Sequence, residues 1–112
     1  MKAAYLETAK RLIAQTVADS KSAITYQAVF GAVAAYADGR IFLTCGRFGV
    51  ALKLPGEVCQ TIMEEGAGGP LKYFEKGHVK KGYLVLSDTV LNDPARLSEL
   101  VKTSVAFVQT AD

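Results

Sequence analysis

The sequence predicts an α+β domain of two layers, with helices on one face of a five-stranded antiparallel sheet in the order α-β-β-β-α-β-β-α. Three observations lead there. Residues 29–54 read VFGAVAAYADGRIFLTCGRFGVALKL, three short alternating runs separated by Gly31, Asp38-Gly39 and Gly46. Near the N-terminus Tyr5, Leu6, Ala9, Leu12, Ile13, Thr16 and Val17 recur at helical spacing, with Glu7, Lys10, Arg11 and Gln15 between them. Near the C-terminus Leu97, Leu100, Val101, Val105 and Val108 form a second stripe of the same period.

The first stripe predicts a helix over residues 2–19, ended by the polar run Asp19-Ser20-Lys21-Ser22, after which Ile24-Thr25-Tyr26 returns to extended structure. Asp38-Gly39 between two apolar runs is a hairpin signal, because a two-residue turn needs positive φ, which Asp and Gly tolerate. Gly31, between Phe30 and Ala32, suggests a bend or bulge that tilts the first strand, and Gly82 is given a similar role before the last one. Pro55-Gly56-Glu57 opens a short helix striped by Val58, Cys59, Ile62 and Met63 and closed by Glu64-Glu65-Gly66. Residues 66–70, Gly-Ala-Gly-Gly-Pro, read as a flexible connector to a fourth strand over 71–74, and residues 79–87 as the fifth. Asn92 or Asp93 can cap the last helix, with Pro94 in its first turn and its end near Gln109.

Alternation along the strands turns Ile41, Leu43, Phe48, Val50, Leu52 and Leu54 toward the helices. The opposite face then collects Ala34, Tyr36, Phe42, Thr44 and Ala51, unusually poor in charge for a face that meets water. Contiguous apolar area of this kind marks an interaction surface, so these five residues are the candidate contact for a homodimer or a protein partner.

The chain has 112 residues and should bury roughly 65% of its unfolded surface in a single domain spanning residues 1–112. Thirteen basic and eleven acidic residues leave a net charge of +2, too close to balance to announce a nucleic acid or a membrane through bulk electrostatics. Cys45 and Cys59 are neither dense enough for a disulfide framework nor spaced as Cys-x-x-Cys, and each lies on an apolar stripe, where cysteine behaves as a small hydrophobe. The N-terminal segment breaks any apolar core with Glu7, Lys10 and Arg11, unlike a secretory signal, and no run approaches the ~20 apolar residues that span a bilayer. A cytoplasmic protein without a membrane partner is the expectation.

Chemistry-bearing motifs are few. The glycine-rich segment follows a helix and leads into a strand, the reverse of a phosphate cradle, and lacks the Gly-Lys-Ser/Thr ending. His78 is the sole histidine, in a lysine-rich turn with no nucleophile nearby, and Glu64-Glu65 reads as a solvated helix end. The sequence therefore predicts no catalytic residues, no metal site and no cofactor. Lys72, Lys76, Lys80 and Lys81, interleaved with Tyr73, Phe74 and Tyr83, form the one candidate basic patch, since aromatics stack bases while lysines meet phosphates.

Val29-Phe30-Gly31-Ala32, the turn Asp38-Gly39-Arg40-Ile41-Phe42, Leu52-Lys53-Leu54 and Val79-Lys80-Lys81-Gly82-Tyr83 together resemble the N-terminal domain of the TfoX family, bacterial proteins named for a regulator of competence for DNA uptake. Val29, Ala32 and Val79 stand where the family pattern has Met, Gly and Met. The resemblance runs from the first helix to the last and implies a secretion-chaperone-like two-layer fold with no enzyme activity. Longer members resemble a two-domain plan with a helical C-terminal domain, which is not expected within these 112 residues. The expected function is a non-enzymatic regulatory or protein-interaction domain acting by dimerisation or partner binding. Nucleic-acid binding through the basic hairpin at 72–81 is the alternative.

Overall fold

The computed structural model describes residues 2–16, 23–29, 31–71 and 80–110. Among these residues ten elements follow one another: α1 (Lys2–Thr16), β1 (Ile24–Val29), β2 (Ala32–Ala37), β3 (Arg40–Gly46), β4 (Gly49–Lys53), α2 (Gly56–Glu64), β5 (Gly68–Leu71), β6 (Lys80–Leu86), α3 (Asp88–Leu91) and α4 (Pro94–Thr110). The strands form one antiparallel sheet in the order β1-β2-β3-β4-β6-β5. The predicted class is therefore correct, with six strands in place of five.

Two differences account for the sixth strand and its neighbours. The extended stretch at Ile24 is a full strand that pairs with β2 over six residues without interruption, from Ile24 opposite Ala37 to Val29 opposite Ala32. Gly31, at φ 76°, lies in the connection between these strands rather than bending one of them, and open space surrounds the place where a Cβ would sit. The glycine-rich segment is not a connector either: Gly68, Gly69 and Pro70 are themselves β5, paired with Leu86, Val85 and Leu84. Glycine is required at 68 because a Cβ there would lie 2.9 Å from the carbonyl oxygen of Val85. The short α3, capped by the Ser87 hydroxyl accepting from the Val90 N–H at 3.4 Å, is an additional element. The residues expected to hold the rest of the fourth strand, 72–74, lie outside those described, as do 17–19 of the first helix.

The Asp38-Gly39 turn behaves as its sequence requires. Asp38 has φ 52° and Gly39 φ 83°, the two positive values of a two-residue hairpin turn, and Ala37 and Arg40 pair directly across it. Gly82, at φ 84°, lies inside β6, where the β5–β6 ladder shifts register between Pro70 and Leu71.

The described helices all roof a single face. Ala9, Leu12 and Ile13 of α1, Cys59 and Ile62 of α2, Val90 of α3 and Leu97, Leu100, Val101, Val105 and Val108 of α4 join one core with Ala35, Ala37, Leu43, Cys45, Val50, Leu52, Leu84 and Leu86 of the sheet. Two residues assigned to the helix side by alternation sit elsewhere, and one assigned to the far side is in this core. Between Ala35–Leu43 and Tyr36–Ile41 the β2–β3 ladder skips Phe42, a bulge that sends the fully buried Phe42 ring into the helix-side core and puts Ile41 beside Tyr36 on the far face. Phe48 packs with the far-side cluster of Ala51, Leu71 and Tyr83, because Gly49 at φ 108° breaks the alternation leading into β4.

Candidate functional site

Register places the far-face residues in rows that cross the whole sheet. One row reads Gln27, Ala34, Thr44, Ala51, Val85 and Gly69, one residue from each strand. Three of the five residues expected to make an interaction surface, Ala34, Thr44 and Ala51, are thus direct neighbours. Tyr36 occupies the next row, between Thr25 and Ile41, and Phe42 has left the face altogether. The centre of the row is sealed: Ala34, Thr44 and Ala51 expose 0% of their surface in the single chain, and the Thr44 hydroxyl meets no hydrogen-bond partner among the described residues. At the β1 end, Gln27 is exposed.

Among the described residues, that end is one of two margins where strand backbone lacks a strand neighbour, and the two margins differ. β5 has four residues, two of them glycine, and Pro70 has no N–H to offer an incoming strand. β1 has six residues, Ile-Thr-Tyr-Gln-Ala-Val, with no proline, no glycine, no bulge and no charged side chain. Ile24, Tyr26 and Ala28 pair with Ala37, Ala35 and Val33, so they lie on the helix side, while Thr25, Gln27 and Val29 lie on the far side. The helix-side pair Ile24 and Tyr26 is only half-buried at the border of the main core, with Lys10 Nζ of α1 5.8 Å from the Tyr26 ring centroid. Burial raises the Tyr26 phenol above its ordinary value of 10.0.

The start of this strand is held in place. Ala23 and Asp38 exchange hydrogen bonds, Ala23 N–H donating to Asp38 Oδ1 and Asp38 N–H to the Ala23 carbonyl, both at 2.9 Å. Gln109 Nε2, near the end of α4, donates to the other carboxylate oxygen at 2.8 Å. One side chain in the β2–β3 turn therefore links the entrance of β1 to α4.

The remaining sequence candidates are dispersed. Cys45 and Cys59 are both buried, and desolvation pushes both thiols above their ordinary 9.0; the Cys59 thiol donates to the Leu54 carbonyl at 3.6 Å. Glu64 and Glu65 are exposed at the end of α2, where Glu65 pairs with Arg96 of α4. Lys72, Lys76 and His78 lie outside the described residues, and Lys80 and Lys81 begin β6. Among the described residues no three of His, Cys, Asp and Glu group as metal ligands, and no helix is long and apolar enough to cross a membrane.

The sheet order, the hairpin at Asp38-Gly39 and the positive-φ glycines Gly31 and Gly82 coincide with the segments that carried the family resemblance. A family model described as the TfoX N-terminal domain matches residues 16–108. The chain belongs to that family. No curated protein matches it. In this TfoX N-terminal domain the stretch missed by sequence reasoning is the β1 margin, although its signal was present: Ile24, Tyr26 and Ala28 alternate with Thr25, Gln27 and Val29 up to the break at Gly31.

Proposed function

We propose that this TfoX N-terminal domain is a bacterial, cytoplasmic, non-enzymatic regulatory module that acts on gene expression through protein–protein contact, and that the contact is made along the outer edge of β1. The single observation that carries the reading is the asymmetry of the two sheet margins. An unpaired strand is a template for another chain, and folded proteins protect such edges with prolines, charges, bulges or short length. The β5 margin carries Pro70 and is short, whereas the β1 margin carries none of these devices over six residues. Strand addition at an edge supplies affinity from main-chain hydrogen bonds and specificity from alternate side chains.

The test is genetic complementation in host cells lacking the gene. Transcript profiles are compared after restoring the wild-type chain, the exposed-edge variant Gln27→Lys, and Lys102→Glu on the exposed side of α4. The wild type and Lys102→Glu are expected to restore the profile and Gln27→Lys to leave it as in the deletion. A deletion without effect on transcripts, or full restoration by Gln27→Lys, overturns the reading.

A further inference from the structure

We infer that the occupant of the β1 edge is β1 of a second copy, paired antiparallel about a two-fold axis that passes through the sheet at Gln27. This inference rests on the edge-contact reading above and specifies its partner. Two antiparallel neighbours related by a two-fold must have that axis normal to the sheet, so each side chain faces one from the same side of the other copy. With Gln27 on the axis, Thr25 opposes Val29 and Tyr26 opposes Ala28 of the second copy.

Three features of this strand fit that arrangement. Tyr26 against Ala28 sets a large side chain beside a small one on the helix side, where Ile24 and Tyr26 are only half-buried because α1 packs over β2 and β3. Gln27 is the one residue required to face itself, and an amide carries both donors and an acceptor, so two copies can hydrogen-bond each other. Finally, the strand itself carries no charged side chain, so self-opposition sets no like charges of β1 against each other. The row from Gly69 to Gln27 then continues across the axis into the second copy, giving a twelve-stranded sheet roofed by helices on one side.

A six-residue edge about 20 Å long makes a small interface, which places self-association in the micromolar range or weaker. Sedimentation of the full chain at about 10 µM to 1 mM reads the outcome. The wild type is expected to shift from monomer toward dimer with concentration, Gln27→Lys and Gln27→Glu each to remain monomeric, and an equimolar mixture of the two to regain the dimer because opposite charges now meet at the axis. As a second readout, Gln27→Cys is expected to form a disulfide-linked dimer under mild oxidation, while the exposed control Lys102→Cys does not; the native thiols are buried. A wild type that stays monomeric throughout, variants that dimerise like the wild type, or a mixture that stays monomeric overturns the inference. If the wild type is monomeric yet Gln27→Lys still fails to complement in cells, the second copy is excluded while the edge-contact reading stands. Complementation by Gln27→Lys removes that reading as well.

Discussion

The hydroxyl of Ser104, fully buried on α4, lies 3.0 Å from the main-chain carbonyl of Phe42 and 2.7 Å from that of Lys53. Phe42 is the residue that the β2–β3 ladder skips, and Lys53 ends β4. A hydroxyl has one proton, so Ser104 donates to one carbonyl at a time and sits where the bulge and the strand end both face the helix. The bulge thereby acquires a polar anchor in a layer that is otherwise apolar.

Ser104→Ala removes that donor without changing the backbone. The expected cost is about 1–3 kcal/mol, the penalty for depriving a buried acceptor of its partner. Thermal unfolding reads it as a fall in Tm of roughly 4–8 °C per kcal/mol for a domain of this size. An unchanged Tm would show that the carbonyls find other donors.

Phe42 and Tyr36 belonged to one surface by alternation and are separated by the bulge. Phe42→Ala is expected to destabilise by about 3–5 kcal/mol, since it empties a fully buried ring position. Tyr36→Ala, at a half-buried position, is expected to cost clearly less. Urea unfolding of both variants decides the matter, and equal losses would return Phe42 to the far face.

These two residues also show where the sequence stops being informative. The Asp38-Gly39 turn was legible because positive φ at two adjacent positions excludes most residues, so the pattern names the geometry. A bulge leaves no such mark. Ile41, Phe42 and Leu43 are all large and apolar, and nothing in that run says which one the ladder skips. The helical stripes were legible because Leu97, Leu100, Val101, Val105 and Val108 repeat over several turns, and every one is buried. By sequence Gly68-Gly69-Pro70 reads as a connector between a helix and a strand, but at a margin a strand tolerates glycine and proline, and the close approach of Val85 requires the first. The β1 margin was legible as extended chain; that it is an end strand of the described sheet follows only from strand order, which depends on long-range pairing.

The thiols give a pH dependence with a definite sign. Cys45 and Cys59 are buried neutral and raised above 9.0, while in the unfolded chain they titrate near that ordinary value. As pH rises past about 9 the unfolded state loses its thiol protons first and binds fewer than the native state, so unfolding becomes more favourable. Stability is therefore expected to be unaffected by these groups near pH 7 and to fall from pH 9 upward, with the raised Tyr26 phenol adding to the fall above 10.0. Urea midpoints measured from pH 7 to 10 check the slope, and Cys45→Ala with Cys59→Ala is expected to flatten it. Native protein is also expected to resist a thiol reagent that labels the unfolded chain.

Asp38 makes two kinds of demand on its position, and substitutions separate them. Its φ of 52° favours residues that tolerate the left-handed region, and its carboxylate accepts from the Ala23 N–H and the Gln109 amide. Asn tolerates the same backbone and keeps one side-chain oxygen, so Asp38→Asn is expected to cost no more than about 1 kcal/mol. Asp38→Val loses both acceptors and places a β-branched residue at positive φ, for an expected loss of about 2–4 kcal/mol. Because this side chain fixes the entrance of β1, Asp38→Val is also expected to speed amide exchange along Ile24–Val29 more than along the central strand β3. Uniform acceleration across the sheet would mean that the loss is global and that Asp38 has no particular hold on the β1 margin.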